Sequence, residues 1–307
     1  MTTPTSPAAP SDVTIIGRAN IDLTVQVPYH PSLGAHQTVF GSELVATAGG
    51  KSLNQAIAVA RLGGRVGLVA NAGEDHWGHQ LKTTLAEAGV EIDHFQLLPG
   101  APTGSAIIEV TPDGENVIVL AVSPKTELTV EHVRVALTRT ASPVVVVQLD
   151  LPPEPVVTAL TDARQPVIRV GNLVPHPSLD PDWLRYLDIL VVNQVEAATI
   201  LGITGVVDPL TAANQLRSLG PPTVVVTAGA AGASYSHAEH AGIVAAPTVP
   251  VVDTTGAGDA LLAGLVLALI AGSALPDAVA QAVRAGTAAV QHEGAHLPRS
   301  VARRRTW

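Results

Sequence analysis

The stretch PVVDTTGAGDALLAGLVLALIAG, residues 250–272, sets a run of small residues and a carboxylate directly before an apolar segment. Within it, Asp253-Thr254-Thr255-Gly256-Ala257-Gly258-Asp259 leads into the apolar run Ala260 to Ala271. Successive small residues let backbone amides turn toward one point, and the start of a helix adds partial positive charge there. Gly256, Ala257 and Gly258 therefore form a candidate anion hole. A carboxylate at that place repels a bound phosphate unless it faces an attacking hydroxyl whose proton it can accept, which makes Asp259 a candidate general base. The plain alternative is that Asp259 only caps a helix. The apolar run is too short to span a bilayer and reads as a buried core helix.

Short apolar runs recur through the rest of the chain. Asp12 to Gly17, Val66 to Ala70, Val144 to Leu149, Val167 to Val170, Ile189 to Val192 and Val224 to Thr227 each end at turn or polar residues. Helix-like stretches separate them: Ser52 to Leu62, His76 to Ala88, Thr129 to Thr138, Pro153 to Ala163, Val195 to Leu201, Leu210 to Leu219 and Leu275 to Gln291. Such alternation predicts an α/β fold with a mostly parallel sheet covered by helices on both faces. Residues 21–45 and 95–122 break the rhythm with shorter alternating patterns and predict a small sheet standing on the core.

Composition narrows the function. The chain has 307 residues, with 17 Lys and Arg against 26 Asp and Glu, a formal net charge of −9 that argues against nucleic-acid binding. A small-molecule partner fits better. With no cysteine, thiol nucleophiles, thiolate metal sites and disulfides are excluded. Residues 1–11 read as a flexible tail without the marks of a signal peptide, which with the absence of a membrane-spanning run predicts a cytoplasmic protein. The basic run Arg303 to Arg305 reads as a solvated tail.

A second motif, Gly49-Gly50-Lys51-Ser52-Leu53-Asn54, opens a helix. Gly50-Lys51-Ser52 mimics the end of a phosphate-binding P-loop, but the required glycine five positions earlier is Val45. Lys51 and Asn54 are read instead as facing a substrate. Asn20 and Asp22 follow the first strand and fall on one side of an extended segment, an arrangement suited to a polyol. Asp150, at the end of a strand, reaches the same sheet edge. Asn193 with Glu196 reads equally as a helix capping pair or as a site ordering magnesium and phosphate, and Thr227, Gly229 and Gly232 lie in a Gly-rich turn. A complete G-x-G-x-x-G is absent, which lowers the case for a dinucleotide oxidoreductase.

Taken in order, these motifs resemble those of the ribokinase-like (PfkB-type) carbohydrate kinases from Asp12 to Pro298. The resemblance implies a three-layer α/β/α core with a small β lid, ATP as phosphoryl donor, Mg2+ as cofactor and K+ as activator. It makes Asp259 the base. It also makes Asn20, Asp22, Gly50, Lys51, Asn54 and Asp150 sugar contacts, Asn193 and Glu196 organisers of metal and phosphate, and Thr227, Gly229 and Gly232 the nucleotide border. Asp253, Thr255 and Gly294 become the monovalent-cation site, and the lid pairs subunits into a homodimer. The implied acceptor is a pentose, ribose first. A nucleoside kinase of the same fold and a non-catalytic sugar-binding homologue are the alternatives. The chain departs from the family pattern at Ser52 for Gly, Asp150 for Glu, Ser123-Pro124-Lys125, and Leu173-Val174 after Asn172.

Overall fold

The computed structural model describes residues 11–32, 34, 38–162, 167–173, 180–238 and 240–298. The expected N-terminal tail up to Pro10, Val174, and the basic run at 303–305 lie outside these residues.

The chain opens with β1 (Val13–Ile16), β2 (Asn20–Gln26), β3 (Val45–Gly49), α1 (Lys51–Arg61), β4 (Val66–Gly73), α2 (His76–Ala88) and β5 (Phe95–Leu98). β6 (Ser105–Val110), β7 (Asn116–Ala121), α3 (Val130–Arg139), β8 (Val144–Gln148), α4 (Pro153–Thr161), β9 (Ile168–Asn172) and β10 (Ile189–Asn193) follow. It continues through α5 (Gln194–Ile200), α6 (Pro209–Arg217), β11 (Thr223–Thr227), β12 (Ala233–His237), β13 (His240–Val244), α7 (Ala257–Ile270) and α8 (Leu275–Ala289).

A nine-stranded sheet runs in the order β13-β12-β11-β10-β9-β8-β1-β4-β5. Neighbours from β5 across to β11 are parallel, and β12 and β13 extend that edge antiparallel. Side chains one residue apart point to opposite faces, so β8, whose sequence is Val-Val-Val-Val-Gln, feeds two cores at once. Val144 and Val146 join the core that includes Ile57, Leu81, Leu262 and Val279 from α1, α2, α7 and α8. Val145 and Val147 join the other, with Val133, Val156, Ala197 and Leu216 from α3 to α6. Burying each such valine or leucine contributes about 1.5–3 kcal/mol, which explains why the apolar runs become central strands. α7 is apolar all round because α1 and α8 enclose it.

The small sheet has the order β3-β2-β6-β7 and draws its strands from Asn20 to Ala121. Here the structure corrects the expected boundaries. Phe95–Leu98 belongs to the large sheet, where β5 pairs parallel to β4 and the Phe95 side chain is buried in the core. Its alternation was that of a half-covered edge strand, which period alone does not assign to either sheet. On the other side, β3 begins at the last residue of the 21–45 stretch and runs to Gly49.

The connections from β1 diverge at the middle of the large sheet. β4 lies on one side of β1 and β8 on the other. Open α/β sheets bind ligands beyond the carboxyl ends of strands at such a switch point. Of the sequence-predicted site residues, Asn20 and Asp22 come after β1, Asp150 after β8, and Asn193 and Thr227 end β10 and β11 at that edge.

Candidate active site

α7 begins at Ala257, three residues before the apolar run, so Ala257, Gly258 and Asp259 occupy its first turn. Gly256 is the N-cap with φ +74°, and a Cβ there would lie 2.3 Å from the Ala295 carbonyl oxygen. Only glycine fits. A Cβ on Gly258 would meet nothing within 4 Å. An internal packing demand therefore does not explain Gly258, whereas a ligand approaching the helix start does.

The N-cap of α7 is Gly256 and not Asp259, so the plain alternative of a capping Asp259 does not describe this helix. Its Oδ1 accepts from Gln55 Nε2 at 3.0 Å. The same Nε2 donates to Asn172 Oδ1 at 3.0 Å, and Asn172 Nδ2 donates to the Val191 carbonyl at 2.9 Å. A chain of amides thus anchors the carboxylate to the floor of the sheet. Asp259 is half-buried, and the loss of hydration this brings pushes its pKa up to about 6. The Lys51 ammonium and the Gln55 and Asn54 amides oppose that rise, while Glu196 adds to it. A carboxyl group that titrates just below neutrality results, which is what a general base requires.

On one side of Asp259 lies a cavity of about 560 Å3. Asn193, Thr227, Gly229 and Gly232 line it together with Ala257 and Gly258, so four of the five residues expected around nucleotide and metal share one space with two of the three expected to form an anion hole, while Glu196 and Gly256 do not line it. Val249 and Val251, from the apolar stretch before Asp253, line it too. Asn193 and Glu196 form a full capping box at the start of α5, the Asn193 N–H donating to Glu196 Oε2 and the Glu196 N–H to Asn193 Oδ1, both at 2.8 Å. The capping reading of this pair is thus observed, and Asn193 alone of the two lines the cavity.

Asn20 and Asp22 lie on β2, which pairs with the strand leading into α1, where Gly50 is the N-cap and Asn54, in the first turn, neighbours Asp259. Burial raises the Asp22 pKa to about 6. Asn54 Oδ1 lies 3.1 Å from His296 Nε2, which acts as donor because that oxygen only accepts. The Asn54 amide nitrogen is left for Asp259 or a ligand.

Two expected sugar contacts have partners the sequence reading did not foresee. Lys51 Nζ donates to Glu196 Oε1 at 2.7 Å and to the Leu173 carbonyl at 2.9 Å, tying the start of α1 to the start of α5. Asp150 is buried, and its Oδ2 accepts from Arg18 Nη1 at 2.7 Å. Ser52 is fully buried and hydrogen-bonded to Gln148, which accounts for a hydroxyl at that departure from the family pattern.

Asp253, Thr255 and Gly294 also come together. Asp253 Oδ1 accepts from the Thr255 N–H and hydroxyl at 2.8 and 2.7 Å, and Oδ2 accepts from the Gly294 N–H at 2.9 Å. Burial works to raise the Asp253 pKa, but these hydrogen bonds outweigh it and hold the group below its ordinary value.

A carboxylate in the first turn of a buried helix, beside a large cavity and linked through Gln55 to the polar start of a second helix, is the arrangement of a small-molecule phosphotransferase. The chain belongs to the pfkB family of carbohydrate kinases, whose model matches residues 10–302. It is similar to the ribokinase of Haemophilus influenzae, 32% identical over 92% of this chain and 93% of that protein. Among solved structures it resembles ribokinase from Thermotoga maritima, with a TM-score of 0.82 and 25% identity over 96% of this chain and 97% of that one. It also resembles ribokinase from Cryptococcus neoformans var. grubii serotype A in complex with ADP, with a TM-score of 0.76 and 31% identity over 95% and 98% of the two chains.

Proposed function

We propose that this protein transfers the γ-phosphoryl group of ATP to a primary hydroxyl of a pentose, ribose being the first candidate. The observation that carries this reading is the start of α7, where Asp259, bonded to Gln55 and beside Asn54 and Lys51 of α1, directly follows Ala257 and Gly258 on the cavity wall. The acceptor hydroxyl gives its proton to Asp259 as it attacks, while the amides of Gly256 to Gly258 face the charge on the transferring group. ADP release with ATP, magnesium and a panel of pentoses, fructose and adenosine tests the reading, with a pentose expected to give the highest kcat/KM. A tenfold preference for adenosine would replace it with a nucleoside kinase.

Magnesium enters with the nucleotide in this reading. Among the described residues no group of three or more His, Cys, Asp or Glu side chains is placed to hold a metal, so phosphate oxygens supply much of its coordination. Asn193 and Glu196, fixed by their mutual bonds, order that edge. Potassium is expected beside Asp253, Thr255 and Gly294, where it fixes the loop leading into the anion hole. Replacing potassium by a bulky organic cation at equal ionic strength should slow turnover several-fold, and equal rates would count against the site.

The small sheet is proposed as a lid over the acceptor, since Asn20 and Asp22 lie on its β2. Its edge strand β7 exposes Val117, Ile118, Val119 and Leu120. An open apolar edge favours pairing with a second copy. Light scattering at micromolar concentration is expected to give a dimer; a monomer would remove that role from β7. No helix among the described residues is long and apolar enough to cross a membrane. A cytoplasmic location remains the expectation, checked by cell fractionation.

Because Asp259 accepts the proton only when ionised, kcat/KM for the sugar should fall about tenfold per pH unit below about 6. Asp22 titrates in the same range. The acid limb should therefore survive in Asp22→Asn. A profile flat down to pH 4.5 in the wild type would contradict the assignment.

A further inference from the structure

Arg18 sits in the link between β1 and β2, two residues before Asn20 and at the switch point of the large sheet. Its Nη1 donates to Asp150 Oδ2 at 2.7 Å and to the Asp150 carbonyl at 2.8 Å, and its Nη2 donates to Glu127 Oε1 at 2.6 Å. Its backbone N–H donates to Gln148 Oε1, the atom that also accepts from Ser52 in the first turn of α1. The Arg18 backbone is thereby linked through Gln148 to the helix that carries Lys51, Asn54 and Gln55. Asn71 joins the cluster by donating its Nδ2 to the Glu127 carbonyl.

Each member of this cluster keeps one buried polar atom without a partner among the described residues: Arg18 Nε, Glu127 Oε2, Asp150 Oδ1 and Asn71 Oδ1. Such a network is poorly made for stability alone. Buried ion pairs barely repay their desolvation, and each unsatisfied atom adds a cost. The Asp150 side chain is only 5% exposed, while Arg18 and Glu127 keep 15% and 22% exposure on the open side.

We propose that Arg18, Glu127 and Asp150 together set acceptor specificity, holding a neutral polyol through adjacent hydroxyl groups. This rests on the sugar-kinase reading above. A hydroxyl both donates and accepts, so neighbouring hydroxyls can satisfy an Arg N–H and a carboxylate oxygen at once. One guanidinium against two carboxylates leaves a net negative charge. The unit therefore disfavours an acceptor that carries its own carboxylate or phosphate. The motif reading passed over Arg18 and Glu127 because neither belongs to a glycine-rich segment and their pairing is formed only by the fold.

The test is calorimetry and kinetics on wild type, Arg18→Gln and Glu127→Gln. The probes are ATP, the pentose that wild type phosphorylates best, and the aldonic acid of that pentose. Both variants should weaken the pentose by about tenfold or more, as KM rather than kcat, with ATP affinity within twofold of wild type. The aldonic acid should bind wild type at least tenfold more weakly than the pentose. If Arg18→Gln fails to fold, Glu127→Gln, which keeps the Arg18–Asp150 pair, decides the matter. Pentose affinity within twofold of wild type in the folded variants would overturn the specificity role while leaving the kinase reading intact. An aldonic acid bound as tightly as the pentose would overturn the charge argument. Intact ATP binding with no pentose bound or phosphorylated by wild type would instead sink the kinase reading, and this inference with it.

Discussion

Asp259→Asn should lower turnover by about 10²- to 10⁴-fold while leaving ATP affinity within a few-fold of wild type. Asn keeps the size of the side chain and can still accept from Gln55 Nε2, which now bonds Oδ1 at 3.0 Å. Proton acceptance is what it loses. Helix capping cannot account for the effect, because the N-cap of α7 is Gly256 and not Asp259. Stability should move the other way. Burial raises the folded-state pKa of Asp259 from 3.8 to about 6, so the ionised group loses stability for the fold as pH rises through that window. At pH 7 the neutral Asn should leave the melting temperature unchanged or higher. Calorimetry with ATP, a thermal melt and saturating-sugar turnover on the same preparation check all three, and turnover within a few-fold of wild type would remove Asp259 from the role of base.

Gln55→Glu should cost about 10²-fold in turnover at pH 7, with partial recovery as pH is raised. Both Nε2 hydrogens of Gln55 are in use, one on Asn172 Oδ1 and one on Asp259 Oδ1, each at 3.0 Å. A carboxylate in its place sets two acids side by side, and they hold one proton between them to higher pH. The base is then protonated where it should be free. Gln55→Leu removes the same hydrogen bonds without adding charge. It should cost only about tenfold, with no recovery at high pH, consistent with a net 0.5–1.5 kcal/mol per hydrogen bond. The pH profiles of the two variants separate positioning from general damage: parallel profiles would mean that Gln55 only supports packing.

Much of this architecture is legible in the chain. Four consecutive valines at 144–147 divide between two cores because a strand alternates its side chains, and a sheet buried on both faces needs both. The helix start proposed as an anion hole is legible because glycines at 256 and 258 flank the start of an apolar helix, a local pattern with a local cause. Asn193 and Glu196 are likewise three residues apart, and the capping box they form was readable from spacing. Other parts depend on residues far apart in sequence. Gln55 meets Asp259 across 204 residues and Asn172 across 117, and Arg18 meets Glu127 across 109, so no spacing rule brings them together. Phe95–Leu98 was assigned to the small sheet because an alternating edge strand looks alike in either sheet; parallel pairing to β4 decides it.

The central claim is phosphoryl transfer from ATP to a sugar hydroxyl with Asp259 as the base. Phosphorus NMR of a reaction containing the protein, ATP, magnesium and ribose tests it most directly, because it shows where the γ-phosphoryl group goes. The account predicts ADP together with a stoichiometric phosphomonoester on the primary hydroxyl of the sugar, and neither product in quantity with Asp259→Asn. Inorganic phosphate as the sole product across a panel of pentoses, or an undiminished sugar phosphate signal from Asp259→Asn, would contradict it.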